Sequence, residues 1–240
     1  MNEEQKIQYW QRFNSFQRRH EELYLGKVHA VLKSQLEQFK ENGTTAAITS
    51  ESMYRVLLDL YIEVGRLWAH RSDVMRRTLK ARQPMGFNEK IVAYMKAYFG
   101  IDLLNDAEGI TQTTREGIQQ ILADATDAGW SFDEIVKRIT ESHLISRQRA
   151  RLISRTETVA AANAGAMVNA KDTGLELNKI WIATKDNRTR PHHRNVDGNV
   201  VGLNEDFTVG VTRMSQPGDK RGGADECVNC RCCVAFEPTD

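Results

Sequence analysis

The sequence predicts an α+β fold: a mostly helical N-terminal region, then a helix followed by a small β-rich C-terminal module. Three observations predict it. Apolar residues recur at gaps of three and four from Tyr9 almost to Ala170, with Pro84 as the single proline of that stretch. After Gly174 the pattern shortens to alternation, as in Lys179-Ile180-Trp181-Ile182-Ala183. Pro217 and four glycines then punctuate Phe207 to Gly223, and all four cysteines lie between Cys227 and Cys233.

Taken in order, the first helix spans residues 5–41, with Tyr9, Trp10, Phe13, Phe16, Leu25, Val28, Leu32, Leu36 and Phe39 on one face and Gly26 as a point where it can bend. Asn42-Gly43-Thr44-Thr45 ends it. Ser50 or Glu51 opens a second helix carrying Met53, Val56, Leu57, Leu60, Tyr61, Val64, Leu67 and Trp68. Pro84 marks a break, and Asn88 caps a short apolar helix through Phe99. A further helix fits Asp106 to Gly129. Gly129-Trp130-Ser131 reads as a C-cap followed at once by an N-cap, with Glu134 placed for a capping box. These two elements predict a helical hairpin, and the helical region runs to about residue 143. The next helix, Ser146 to Ala170, is basic at its head and alanine-rich in its second half, small enough for close packing. The β module follows: a strand at 179–183, a turn between short strands at Asn195 to Val201, and a last strand at Cys232 to Phe236.

Composition narrows the function. The 240 residues suffice for one large domain or two ordinary ones, and a charged fraction of 27% with 40% apolar residues marks a globular chain. A net charge of +1 means that any nucleic-acid contact must come from a local patch. The candidates are Arg71, Arg76 and Arg77 at the end of the second helix and Arg147 and Arg151 at the head of the later one. A solvated helix face that also suits the helix dipole is the plain alternative for the first group. The start is polar and no apolar run reaches the roughly 20 residues of a membrane helix, so a soluble chain with no membrane partner is expected.

Three clusters combine residue types that interiors rarely bury alone. The first is Arg155-Thr156-Glu157 with Asn163, on one helix. A mid-helix asparagine among alanines is unfavourable by propensity and implies a specific hydrogen bond. Arg155 and Glu157 read as buried ion pairs docking the helix onto the β module, with a catalytic Glu157 as the other reading. The second runs from Asp186 to His193, where Asp186 can cap a turn and accept from Arg188 or Arg190. Its adjacent histidines face opposite ways in an extended segment, so one of them can ligate a metal, act as a base or anchor the loop. The third is Cys227-x2-Cys230-x-Cys232-Cys233. Clustered thiols point to metal ligation, buried free thiols or a disulfide. A Cys-x2-Cys knuckle is half of a tetrahedral zinc site whose other half would be His193 or His192.

The order Arg155-Thr156-Glu157, Asn163, Trp181, Asp186-x-Arg188-Thr189-Arg190-Pro191-x-His193, Asp197-Gly198, Pro217-Gly218-Asp219 and Asn229-Cys230-Arg231-Cys232 resembles that of the phage Mu F-like minor head proteins, a group that includes SPP1 gp7-type head morphogenesis proteins. The resemblance covers about residues 115 to 236. It implies a division into a helical scaffold or partner-binding region, 1–105, and a Mu F-like minor head domain, 106–240. It also implies a phage or prophage protein in the virion head interior, assembled in the bacterial host cytoplasm. The implied partners are portal protein, capsid or scaffolding protein and double-stranded phage DNA during packaging. The residues carried over are Arg155, Thr156, Glu157, Asn163, Asp186, Arg188, Arg190, His193, Asp219, Asn229, Cys230 and Cys232. Cys227, Cys233 and His192 fall outside that pattern, which leaves His193, Cys230 and Cys232 as the zinc candidates.

A structural and interaction role is the first expectation. The alternative is a metal-dependent hydrolase or nuclease-like enzyme built from Glu157, Asp186, His193 and the cysteines. Against it stands the lack of a phosphate-cradling glycine loop or a nucleophile–base pair. A toxin-linked module is a third option, because similar domains can be joined to toxins; no toxin domain is expected after Phe236.

Overall fold

The computed structural model describes residues 1–72 and 87–239. Arg76, Arg77 and the break expected at Pro84 lie outside the described residues. The helices are α1 (Glu3–Asn42), α2 (Glu51–Ala69), α3 (Phe87–Ala128), α4 (Phe132–Glu141), α5 (Arg147–Asp172), α6 (Pro191–Asn195) and α7 (Gly223–Cys227). The strands are β1 (Leu177–Ile182), β2 (Val200–Gly202), β3 (Phe207–Val209), β4 (Thr212–Met214) and β5 (Cys233–Pro238). This is the expected α+β arrangement, helices first and a small antiparallel β module last.

Four caps lie where the sequence puts them, whereas Asn88, read as a cap, lies inside α3, which already begins at Phe87. Gly43 and Gly129 adopt φ of +67°, the left-handed conformation that closes α1 and α3. The Ser131 hydroxyl accepts from the Glu134 amide at 3.3 Å to open α4, and the Ser146 hydroxyl accepts from the Arg149 amide at 3.1 Å to open α5.

Two expectations change. The helices read at 88–99 and 106–129 are one continuous helix, α3. Nothing between them forces a stop: Gly100 costs helix propensity without breaking the hydrogen-bond ladder, and Leu103 and Ala107 continue the buried stripe. The segment ahead of Asp197-Gly198 is helical rather than a strand. Pro191 takes the first helical position, where its missing N–H is no loss, and α6 carries the two histidines. The Gly198 turn, φ +79°, then leads into β2.

The chain divides into two compact units. One comprises residues 1–21, 60–97 and 155–240; the other comprises 22–59 and 98–154. In the second unit, Leu32, Leu36, Phe39, Ile48, Met53, Leu57, Ile118 and Ile139 form the apolar core. A buried Arg149 donates to the Thr114 hydroxyl at 2.9 Å and the Ile110 carbonyl at 2.7 Å. In the first unit, Tyr9, Phe13 and Phe16 of α1 pack their rings on Trp68 of α2 with centroids 4.9–5.9 Å apart. Within that unit α2 and α5 approach so closely that an ideal Cβ on Gly165 would lie 2.1 Å from the Gly65 carbonyl oxygen.

The same unit contains both sheets, one ordered β2-β1-β5 and the other a β3-β4 hairpin. β1 pairs antiparallel with β5 from Leu177↔Pro238 to Ile182↔Cys233. β5 is thus an edge strand, and an edge leaves backbone groups to be satisfied. Asn163 of α5 supplies the missing partner. Its Oδ1 accepts from the Val234 amide at 3.0 Å, and its Nδ2 donates to the Cys232 carbonyl at 3.1 Å. The Tyr9 hydroxyl donates to the Val234 carbonyl at 3.0 Å. One side-chain amide therefore pairs with the strand edge much as a neighbouring strand would, which is the specific hydrogen bonding expected of an asparagine among alanines.

Candidate functional site

The site residues gather where α5, α6, α7 and the loop 228–232 meet in the first unit. The α5 residues form ties. Arg155 donates through Nε and Nη2 to the Glu21 carboxylate at 3.0 and 2.8 Å and through Nη1 to Asn229 Oδ1 at 2.7 Å. The Thr156 hydroxyl accepts from the Asn229 amide at 2.9 Å. Asn229 has φ +61°, a left-handed conformation costly for most L-residues, and these two bonds hold it there. Glu157 is buried; its carboxylate accepts from Lys220 Nζ at 2.9 and 3.0 Å and from the Tyr61 hydroxyl at 2.9 Å.

Asp186 organises the second cluster. It accepts from both Arg231 terminal nitrogens at 2.6 and 3.0 Å, and from the Arg188 amide and the Thr189 hydroxyl at 3.0 and 3.1 Å. The bond to Arg231 holds its carboxyl far below the usual range. Arg188 itself is exposed, 3.7 Å from the same carboxylate, and Arg190 donates to the Val228 carbonyl at 2.6 Å. The Asp219 carboxylate accepts from the Ser215 and Arg221 amides at 2.7 and 3.1 Å; burial opposes its charge, but the Arg221 guanidinium and these amides outweigh burial and lower its pKa.

His193 is the centre of the third group. It is 1% exposed, and Trp181 meets its ring edge-on with centroids 5.3 Å apart. Its Nε2 lies 2.9 Å from Glu226 Oε2, while its Nδ1 faces two sulfurs, Cys232 Sγ at 3.4 Å and Cys230 Sγ at 3.6 Å. The Cys232 amide also points at Cys230 Sγ, 3.4 Å away. Burial pulls the His193 pKa down, but the Cys230 contact and the Glu226 charge push harder and leave it raised. The Cys230 thiol is held well above its ordinary pKa, first by its hydrogen bond with Cys232 and then by burial. His192 is largely exposed and reaches the other oxygen of Glu226 at 2.8 Å. One histidine therefore points inward and one outward, now for a helical rather than an extended reason.

The remaining thiols stand apart. Cys227 donates to the Asp219 carbonyl at 3.0 Å, and burial pushes its pKa up to about 12. Cys233 is fully buried, and burial likewise raises its pKa. All four cysteines are free.

The structure thus brings His193, Cys230 and Cys232 together, with their donor atoms within 4.8 Å of one another. It gives Glu157 and Asp186 separate cationic partners. Of the basic residues, Arg147 and Arg151 reach the Glu22 carboxylate at 3.2 and 3.1 Å, and Arg71 lies over the Phe16 ring at 5.3 Å. Sequence reasoning missed Glu226, which joins both histidines. Its signal was a carboxylate just ahead of a Cys-x2-Cys knuckle, a common position for an ordinary helix residue.

The family model described as phage Mu protein F like protein matches residues 116–235, half of the chain, from within α3 through α5, α6 and α7 into the first residues of β5. The chain belongs to the phage Mu protein F-like family of minor head proteins. Minor head protein GP7 of Bacillus phage SPP1 is 28% identical over 170 residues, which cover 69% of this chain and 49% of GP7. The NAD(+)–arginine ADP-ribosyltransferase EFV of Enterococcus faecalis is 37% identical over 107 residues, 43% of this chain and 22% of that protein. The uncharacterized protein YqbB of Bacillus subtilis is 29% identical over 133 residues, 54% of this chain and 44% of YqbB. The Mu F-like chain thus spans about half, or less, of the length of these relatives. No solved structure matches it.

Proposed function

We propose that this Mu F-like chain acts in phage head morphogenesis, associating with the portal and the procapsid interior. The family match over 116–235 is the observation that carries the reading. The site geometry agrees with it: Arg155, Thr156, Glu157, Asn163 and Asp186 are spent on ties between elements. Such ties make a rigid module rather than a set of groups converging on one substrate. Residues 1–105 are the helical region we assign to partner binding, and 106–240 the Mu F-like domain. Among the described residues no helix is long and apolar enough to cross a membrane. Arg147 and Arg151 remain accessible beside Glu22, and we assign them a contact with packaged double-stranded DNA that weakens as salt rises.

The test is co-sedimentation of the purified chain with procapsids and with isolated portal rings. Retention with either supports the reading, and retention with neither at high protein concentration overturns it. DNA retention by wild type and by Arg147→Ala/Arg151→Ala, across a salt series, tests the DNA contact separately.

A further inference from the structure

We propose that His193 Nδ1, Cys230 Sγ and Cys232 Sγ form a zinc-binding site, with Glu226 positioning the imidazole.

The first support is geometric. Zinc bonds of about 2.0–2.1 Å to nitrogen and 2.3 Å to sulfur, at a tetrahedral angle, set nitrogen and sulfur about 3.6 Å apart. The two observed separations are 3.4 and 3.6 Å. Both sulfurs lie on the same ring nitrogen, so a single ion can touch all three atoms. The second support is the tautomer. A carboxylate 2.9 Å from Nε2 holds the proton on that nitrogen and turns the Nδ1 lone pair toward the sulfurs. Glu226 is itself held by His192 on its other oxygen, which keeps the imidazole at one angle. The third is the loop. The Cys232 amide aimed at Cys230 Sγ stabilises negative charge on that sulfur, and left-handed Asn229 turns the chain so that Cys230 and Cys232 reach the same point.

Burial explains why the ion fits. None of the three residues is more than 2% exposed. Binding releases one proton from each thiol to solvent, and the resulting Zn²⁺ with two thiolates is electrically neutral. A neutral centre avoids the cost of an isolated buried charge. Among the described residues no fourth histidine, cysteine or carboxylate joins the group, so three protein ligands leave one position of a tetrahedral ion to another donor. The ion would join α6 to the loop ahead of β5.

The full-length chain, purified reduced without chelator, should carry about one zinc by elemental analysis. Cys230→Ser and His193→Ala should lose it, while Cys227→Ser and Cys233→Ser should keep it because those thiols point elsewhere. Wild-type protein stripped and reloaded with Co²⁺ should show a thiolate-to-cobalt charge-transfer band, which needs no variant to fold. A wild-type chain that takes up neither zinc nor cobalt stoichiometrically overturns the proposal. So does loss of metal from Cys227→Ser as complete as that from Cys230→Ser. Recovery of a Cys230–Cys232 disulfide from the reduced preparation would overturn it as well.

Discussion

Asn163→Leu should be among the most damaging single changes in the β module. The substitution keeps the branched outline of the side chain, adds some bulk and removes its amide. Three bonds go with it: Val234 N–H to Oδ1 at 3.0 Å, and Nδ2 to the Cys232 and Pro217 carbonyls, both at 3.1 Å. All lie at a residue with no solvent exposure, so water does not replace them. An orphaned buried polar group costs about 1–3 kcal/mol, with backbone N–H at the upper end and carbonyls, which tolerate under-satisfaction better, at the lower. One donor and two acceptors therefore sum to roughly 3–6 kcal/mol, a large share of a typical domain's 5–15 kcal/mol. Asn163→Asp keeps the acceptor for Val234 but sets an oxygen against two carbonyl oxygens, so it should fall in the same range. Denaturant unfolding followed by circular dichroism reads the total, and native-state hydrogen exchange of the Val234 amide reads the bond directly. A loss under about 1 kcal/mol for Asn163→Leu, or unchanged protection at Val234, would refute the edge-pairing argument.

Two further outcomes follow from packing and charge. Gly165→Ala should destabilise by about 3 kcal/mol although alanine is the better helix former, because its Cβ would meet backbone, the Gly65 carbonyl, at 2.1 Å; an equal or higher denaturation midpoint would show that α2 and α5 can separate freely. Lys179 is buried, donates to the Ser215 carbonyl at 2.8 Å, and has its pKa pulled down by burial to about 8 from 10.5. Between those two pH values the unfolded chain holds a proton that the folded one has released, so stability rises with pH across that window and is flat beyond it. The burial penalty is complete below pH 8 and gone above pH 10.5, a swing of up to about 3 kcal/mol. Measured against Lys179→Met, which cancels the thiol titrations, a stability difference independent of pH would contradict this.

Much of the fold was legible because helix and strand periods are local properties. The glycines at 43 and 129 and the serines at 131 and 146 bounded their helices as read, since a cap needs only its own few residues. The joined helix α3 was not legible. Whether a glycine-containing stretch continues or breaks depends on the packing of Leu103 and Ala107, which no local pattern reports. Asn163 could be flagged as anomalous from its helix alone, but its partners lie 54, 69 and 71 residues away. Spacing narrowed the candidate ligands to two histidines and four cysteines. Only tertiary structure decided which imidazole turns inward and which sulfurs share one nitrogen, because both depend on a five-residue helix and a left-handed loop residue. It also introduced Glu226, 33 residues from His193 in the chain. Sequence by itself therefore determined the class, the caps and the candidate chemistry, each set by neighbours within a turn or two. The pairing of ligands and ties required distant segments to meet, and that is settled by the shared burial of α5, α6 and β5.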